Sequence, residues 1–268
     1  MPNRSLSRLA QYITPRWLKP ALAGLAGLAA SCAFAATITV NSTADTAAND
    51  GVCTLREAIT AANTDTASGA MAGECAAGSG TDTIAFNIAG AGVKTIAPLT
   101  ALPIITTNVQ INGYTQPGTS VNTNGPTVGS NAMILIEIDS AAIVNAPAIY
   151  FSGAGASGSI IEGLAIGRSA NPVCCFDNGI YALGVSNLHI RGNFIGTNAS
   201  GLIGRFFGAN SVVIENGTNA TVGSTQAALT PAYQNLISSA SNNLVGLVGN
   251  PHSNLSIRGN LIDTDSPG

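Results

Sequence analysis

Few side chains in this 268-residue sequence suit catalysis, and those that do are mostly carboxylates. Polysaccharide cleavage uses two carboxyl groups a few ångström apart, or carboxylates around a hard cation with a basic residue to take a proton. The strand-like segments offer Glu137, Asp139, Glu162 and Glu215. In Glu137-x-Asp139 both acids face the same way, because residues i and i+2 share one side of a strand. With stacked rungs of about 22 residues, Glu162 stands one rung from Glu137. Glu137, Asp139 and Glu162 are therefore the candidate catalytic set. The plain alternative is three solvent-facing acids on a strand flank, and the lack of a dense Asp cluster favours it.

No resident metal or cofactor is expected. Asp263-Thr264-Asp265 has oxygen donors, but an earlier copy of the same stretch reads Gly196-Thr197-Asn198, so the feature does not repeat as laddered calcium sites do. His189 and His252 have no partner in the sequence, and His189 alternates with Leu188 and Ile190 as an outward strand residue.

The elements that must position these residues are written into a repeat. NLHIRGNFIGTNASG at 187–201 returns as NLSIRGNLIDTDSPG at 254–268, with 9 identical positions, 67 residues later. Both copies alternate apolar and polar residues and then break into Gly and Asn, the pattern of a strand ending in a turn. Ile161–Gly167 is a weaker copy, 29 residues before the first. The 29-residue step reads as one rung with an inserted loop, and the 67-residue step as about three rungs of 22. Asn193 and Asn260 fall at the corners, where amides can ladder from rung to rung, and Arg191 and Arg258 hold matching repeat positions.

Strands are predicted at 36–41, 83–88, 94–96, 109–112, 134–138, 160–166, 188–190, 212–215, 236–237 and 255–257. Polar loops are predicted at 115–131, 168–179 and 217–235. Near the start, Thr54 with Glu57 three residues on is a capping box, and Leu55, Ala58, Ile59 and Ala62 share one helical face. So short a helix must lie on something, and the open first rung of a stacked sheet is the surface that needs covering. The expected fold is all-β: a right-handed parallel β-helix with a short N-terminal capping α-helix.

Residues 1–35 read as a secretory signal: Arg4, Arg8, Arg16 and Lys19, then small apolar residues, then Ala33-Phe34-Ala35 as the cleavage pattern. The apolar run is short for a membrane span. Residues 36–82 are expected to form the first strand, capping helix and disulfide loop, and 83–268 the rungs. The exported part carries six Lys/Arg against 13 Asp/Glu, a formal charge near −7, which supplies no basic stripe for nucleic acid. Export permits disulfides, and Cys53 with Cys75 closes a 22-residue loop. The adjacent Cys174 and Cys175 are expected free, or facing another molecule.

Cys53-Thr54-Leu55-Arg56-Glu57-Ala58-Ile59, behind a strand ending ITVNS, resembles the N-terminal CSLREA segment of secreted bacterial right-handed parallel β-helix proteins. Ile111–Gly118 (INGYTQPG) and Gly192–Gly201 (GNFIGTNASG) resemble two further phrases of that family, with Asn198 in place of an Asp. The resemblance implies secreted or surface-associated, often adhesin-like solenoids, and it carries no catalytic residues to transfer.

Two function classes follow. One is a non-enzymatic secreted or cell-surface solenoid, acting as adhesin or scaffold toward extracellular polysaccharide, a host or cell-surface component, or a protein partner. The other is a polysaccharide lyase or glycoside hydrolase on the same helix. The scarcity of aromatics beyond the signal, 10 Tyr and Phe, weighs against an enzyme groove. Because 268 falls on a repeat boundary, the solenoid is expected to be incomplete there.

Overall fold

The computed structural model describes residues 35–125, 128–171, 176–225, 229–249 and 252–263. The signal-like segment up to residue 34, Cys174, Cys175, Thr264 and Asp265 lie outside them. The chain winds as an all-β, right-handed parallel β-helix of three sheets with one N-terminal α-helix.

Rung one has strand β1 (Thr37–Val40), followed by helix α1 (Leu55–Thr64); rung two has β2 (Asp82–Phe86) and β3 (Lys94–Ile96). Rung three has β4 (Val109–Asn112), β5 (Ile136–Asp139) and β6 (Ile149–Ser152), and rung four β7 (Ile160–Glu162), β8 (Leu164–Gly167) and β9 (Ile180–Leu183). Rung five has β10 (His189–Arg191), β11 (Phe194–Ile195) and β12 (Val212–Glu215), and rung six β13 (Thr221–Gly223), β14 (Leu236–Ile237) and β15 (Val245–Val248). Rung seven has β16 (Ser256–Arg258) and β17 (Leu261–Ile262).

The sheets run β1-β2-β4-β7-β10-β13-β16, β3-β5-β8-β11-β14-β17 and β6-β9-β12-β15. Inside the first, Ile38, Ile84, Ile111, Ile161, Ile190, Val222 and Ile257 stack in register. All but Ile257 are buried to within 0% exposure, a continuous aliphatic column that β-branched side chains fill well on a pleated face.

That column corrects the expected rung length. Ile190 pairs with Val222 and Val222 with Ile257, so the 67-residue repeat spans two rungs, of 32 and 35 residues, and not three. The 29-residue step from Ile161 to Ile190 is one rung. Rung length varies because the strands are constant and the corners are not; residues 113–135, for instance, separate β4 from β5. Two other expectations fail for the same reason. The 217–235 stretch contains strand β13, and three strands of the four-stranded sheet (β6, β9 and β15) are absent from the predicted set.

Helix α1 closes the start of the solenoid. Thr54 Oγ1 accepts from Glu57 N, and the Glu57 carboxylate accepts from Thr54 N at 3.0 Å and Ala48 N at 2.9 Å. Leu55, Ala58, Ile59 and Ala62 are buried against β1 and β2. Full burial of a Leu or Ile contributes about 1.5–3 kcal/mol, which a helix this short needs from its neighbours. Cys53 and Cys75 form a disulfide between buried residues that joins the helix start to the loop behind it.

Asparagines hold all three corners. Between the first two sheets, Asn193 N donates to Asn235 Oδ1 at 2.9 Å and Asn235 Nδ2 donates to Asn260 Oδ1 at 2.9 Å. Their amides also donate inward to the carbonyls of Ile161, Ile190 and Val222. Asn178, Asn210 and Asn243 repeat the arrangement before the four-stranded sheet. Asn187, Asn219 and Asn254 turn the third corner at φ 55°, 56° and 54°, a left-handed conformation that Asn tolerates better than most residues.

Candidate functional site

Each sheet has an outward face, and the candidate acids are divided among them. On the seven-stranded face, Glu162 lies in register between Asn112 and Arg191. Its carboxylate accepts from Gln110 Nε2 and Arg191 Nε, both at 2.7 Å. The Arg191 guanidinium lies 4.4 Å above the Tyr233 ring, a cation–π contact that holds it flat on the surface. Tyr114 donates its hydroxyl to Gly192 O at 2.7 Å, and burial, then the Glu162 charge, raises its pKa. His189 stands one strand residue before Ile190; burial, then Arg191, lowers its pKa. Arg258 occupies the Arg191 column two rungs on, with Gly223 between them.

On the six-stranded face, Glu137 and Asp139 do project from the same side of β5, away from buried Ile136 and Ile138. Glu137 is buried there and Asp139 half-buried. The segment after β11 folds over Glu137, which accepts from Ala199 N at 2.8 Å and faces Arg205 Nη2 at 3.5 Å. Asp139 Oδ1 accepts from Ala141 N at 3.1 Å and Ser169 N at 2.8 Å. The residue stacked on Glu137 in the next rung is Ala165, with Thr95 on the other side; Glu162 is one rung on, as expected, but on the first sheet and not above Glu137. The cause is Gly163. Its φ of 73° turns the chain from the first sheet to the second, so residues only two apart stand on different faces.

The sequence reading missed the third face. On the four-stranded sheet Tyr150 and Tyr181 are register partners with rings 5.2 Å apart, edge to face, and Phe176 meets Tyr181 at 6.4 Å. Tyr181 donates its hydroxyl to Glu215, two strands from Tyr150. Burial, then that hydrogen bond, raises the Tyr181 pKa. Beside the rings a groove of about 330 Å³ is lined by Leu102, Ile104, Pro147, Tyr150 and Phe176 among others. Phe176 and Ile104 are 56% and 44% exposed. The available signal was the pair of alternating tetrads Ile149-Tyr150-Phe151-Ser152 and Ile180-Tyr181-Ala182-Leu183, each with an aromatic outside.

A ring over an open apolar groove, with the Tyr181–Glu215 pair on the neighbouring strands, suits a ligand that is apolar on one side and polar around its rim. A lone carboxylate locked to an arginine suits structure better than proton transfer. His252 faces the carbonyl oxygens of Val248 and Gly217. Among the described residues no group of three or more His, Cys, Asp or Glu is placed to hold a metal ion, and no helix is long and apolar enough to cross a membrane. No family model, curated protein or solved structure matches the chain.

Proposed function

We propose that this chain is a non-enzymatic, adhesin-like β-solenoid, secreted or held at a bacterial cell surface after cleavage near Ala35 or Ala36. In this reading residues 36–82 form the capped start and 83–268 the scaffold. The exposed face of the four-stranded sheet binds glycan, as an extracellular polysaccharide or a host or cell-surface component. The observation that carries it is the groove beside Tyr150 and Phe176. A sugar ring has apolar C–H faces and a hydroxyl rim, and it matches aromatic rings edged by Glu215 and tyrosine hydroxyls. The CSLREA-like segment and the arginine-flanked apolar leader support export.

The competing reading, a polysaccharide lyase or glycoside hydrolase, has its best footing where Glu162, Arg191 and His189 share one face. One panel decides between them: the purified protein is tested against polysaccharides for both retention and cleavage. Retention without cleavage, lost in Tyr150→Ala, supports the adhesin. Cleavage abolished by Glu162→Gln or Glu137→Gln overturns it.

A further inference from the structure

Helix α1 ends against an arrangement of charge that lacks its counterpart. Cations suit helix C-termini, yet the last turn of α1 has no basic residue and its C-cap is Asp65, at φ 52°. Behind it lies Asp82 of β2, at 0% exposure. Asp82 Oδ1 accepts from Ser79 N at 2.7 Å and Ala36 N at 3.4 Å, but the buried Oδ2 has no hydrogen-bond partner. Such an atom is costly to leave unpaired. The ion pairs among the described residues take Arg56, Arg168, Arg191 and Arg205 to other acids, and Lys94 Nζ donates to Ala91 O.

The unpaired oxygen is aimed at a shared point. A Cβ on buried Gly78 would lie 2.5 Å from Asp82 Oδ2, 2.8 Å from Ala61 O and 3.0 Å from Asp65 Oδ1. A side chain of any kind would collide with these oxygens, and the glycine lets them approach one another. Three oxygens therefore converge beside the Gly78 α-carbon: a buried carboxylate, a second carboxylate, and a carbonyl from the negative end of a helix. A water molecule has two protons to give, too few for three acceptors.

We propose that Asp82, Asp65 and the Ala61 carbonyl bind one Ca²⁺ beside Gly78, fastening the capping helix to the first rungs. Oxygen-only donors select a hard cation, and a mixed, irregular set suits Ca²⁺ better than Mg²⁺, which demands a near-ideal octahedron. With two carboxylates the affinity falls in the weak range of extracellular modules, Kd about 10⁻⁴–10⁻³ M. The site uses two acids and a backbone oxygen, none of which lines the groove, and it does not rest on whether the four-stranded face binds glycan.

The test is Ca²⁺ titration of the purified exported protein by calorimetry, with Mg²⁺ as control, and thermal unfolding in millimolar Ca²⁺ against EDTA. The expected result is one Ca²⁺ per chain and a Tm higher by about 3–6 °C at Ca²⁺ about ten times Kd. Asp65→Asn keeps a residue that tolerates the left-handed turn, so it should match the wild-type Tm in EDTA and bind Ca²⁺ at least about tenfold more weakly. Gly78→Ala should abolish binding. No Ca²⁺ uptake by the folded wild type overturns the site and leaves neutralisation of Asp82 to another group, such as an α-ammonium freed at Ala36 by signal cleavage. Undiminished binding in folded Asp65→Asn overturns it equally.

Discussion

Replacing Asn235 by Ala tests whether the corner asparagines hold the rungs together or merely occupy them. Asn235 is fully buried and central in its ladder. Its Oδ1 accepts from Asn193 N at 2.9 Å, and its Nδ2 donates to Ile190 O and to Asn260 Oδ1, each at 2.9 Å. Alanine leaves the Asn193 amide, also at 0% exposure, without that acceptor. A buried amide left unpaired costs about 1–3 kcal/mol, and each net hydrogen bond lost about 0.5–1.5 kcal/mol. With one amide unpaired and the two Nδ2 bonds lost, the sum for Asn235→Ala is about 2–6 kcal/mol. Asn260 ends the ladder and is half-buried, so water replaces part of what Asn260→Ala removes, and its cost is about 1 kcal/mol. For a chain of this size 1 kcal/mol moves Tm by about 2–4 °C. Thermal unfolding followed by circular dichroism should therefore show a drop of about 4–24 °C for Asn235→Ala and under about 4 °C for Asn260→Ala. Equal shifts in the two variants, or none for Asn235→Ala, would refute the reasoning. Position 164 shows how a ladder ends: in register with β11, Leu164 takes the place that Asn193 holds one rung on, and its own N–H donates to Asn193 Oδ1 at 3.1 Å.

Other perturbations read different parts of the structure. Removing the disulfide in a Cys53→Ala/Cys75→Ala double variant frees a 22-residue loop and should cost about 3 kcal/mol, seen as a lower denaturant midpoint. Arg191→Ala leaves the Glu162 carboxylate, with 12% side-chain exposure, paired only through Gln110, and should cost about 1–2 kcal/mol, while Glu162→Gln/Arg191→Ala should recover part of that loss in a double-mutant cycle. Burial lowers the His189 pKa below its usual 6.5, so between the folded and unfolded values the unfolded chain binds the extra proton and stability falls as pH falls. His189→Gln should flatten that decline below about pH 6.5, measured as Tm against pH. An unchanged slope would remove His189 from the account.

The fold was readable because its signals are local and redundant. The Thr54–Glu57 box, the aliphatic alternation and the Gly-Asn corners each point to capped, stacked strands. The rung length was not readable from period alone, because β13 and β14 separate the two similar phrases and their own sequences differ. Thr221-Val222-Gly223 and Asn235-Leu236-Ile237 carry the Ile190 and Asn193 columns without repeating the words around them. Asn235 therefore escaped notice although it joins Asn193 to Asn260. The candidate acids were legible as strand residues but not as neighbours. Which face Glu162 took depended on the left-handed turn at Gly163, and what covered Glu137 came from a loop 62 residues further along the chain. Asp82 fell just outside the strand predicted at 83–88 and was not singled out, since its burial is produced by the return of the 65–79 loop and the helix end.

Affinity electrophoresis through gels cast with individual polysaccharides, run with wild type and Tyr150→Ala side by side, tests the central claim most directly. The account predicts that at least one polysaccharide retards the wild type, that Tyr150→Ala migrates freely with its fold intact, and that the recovered polysaccharide keeps its chain length. Retardation that survives Tyr150→Ala, or a shortened polysaccharide, would contradict it.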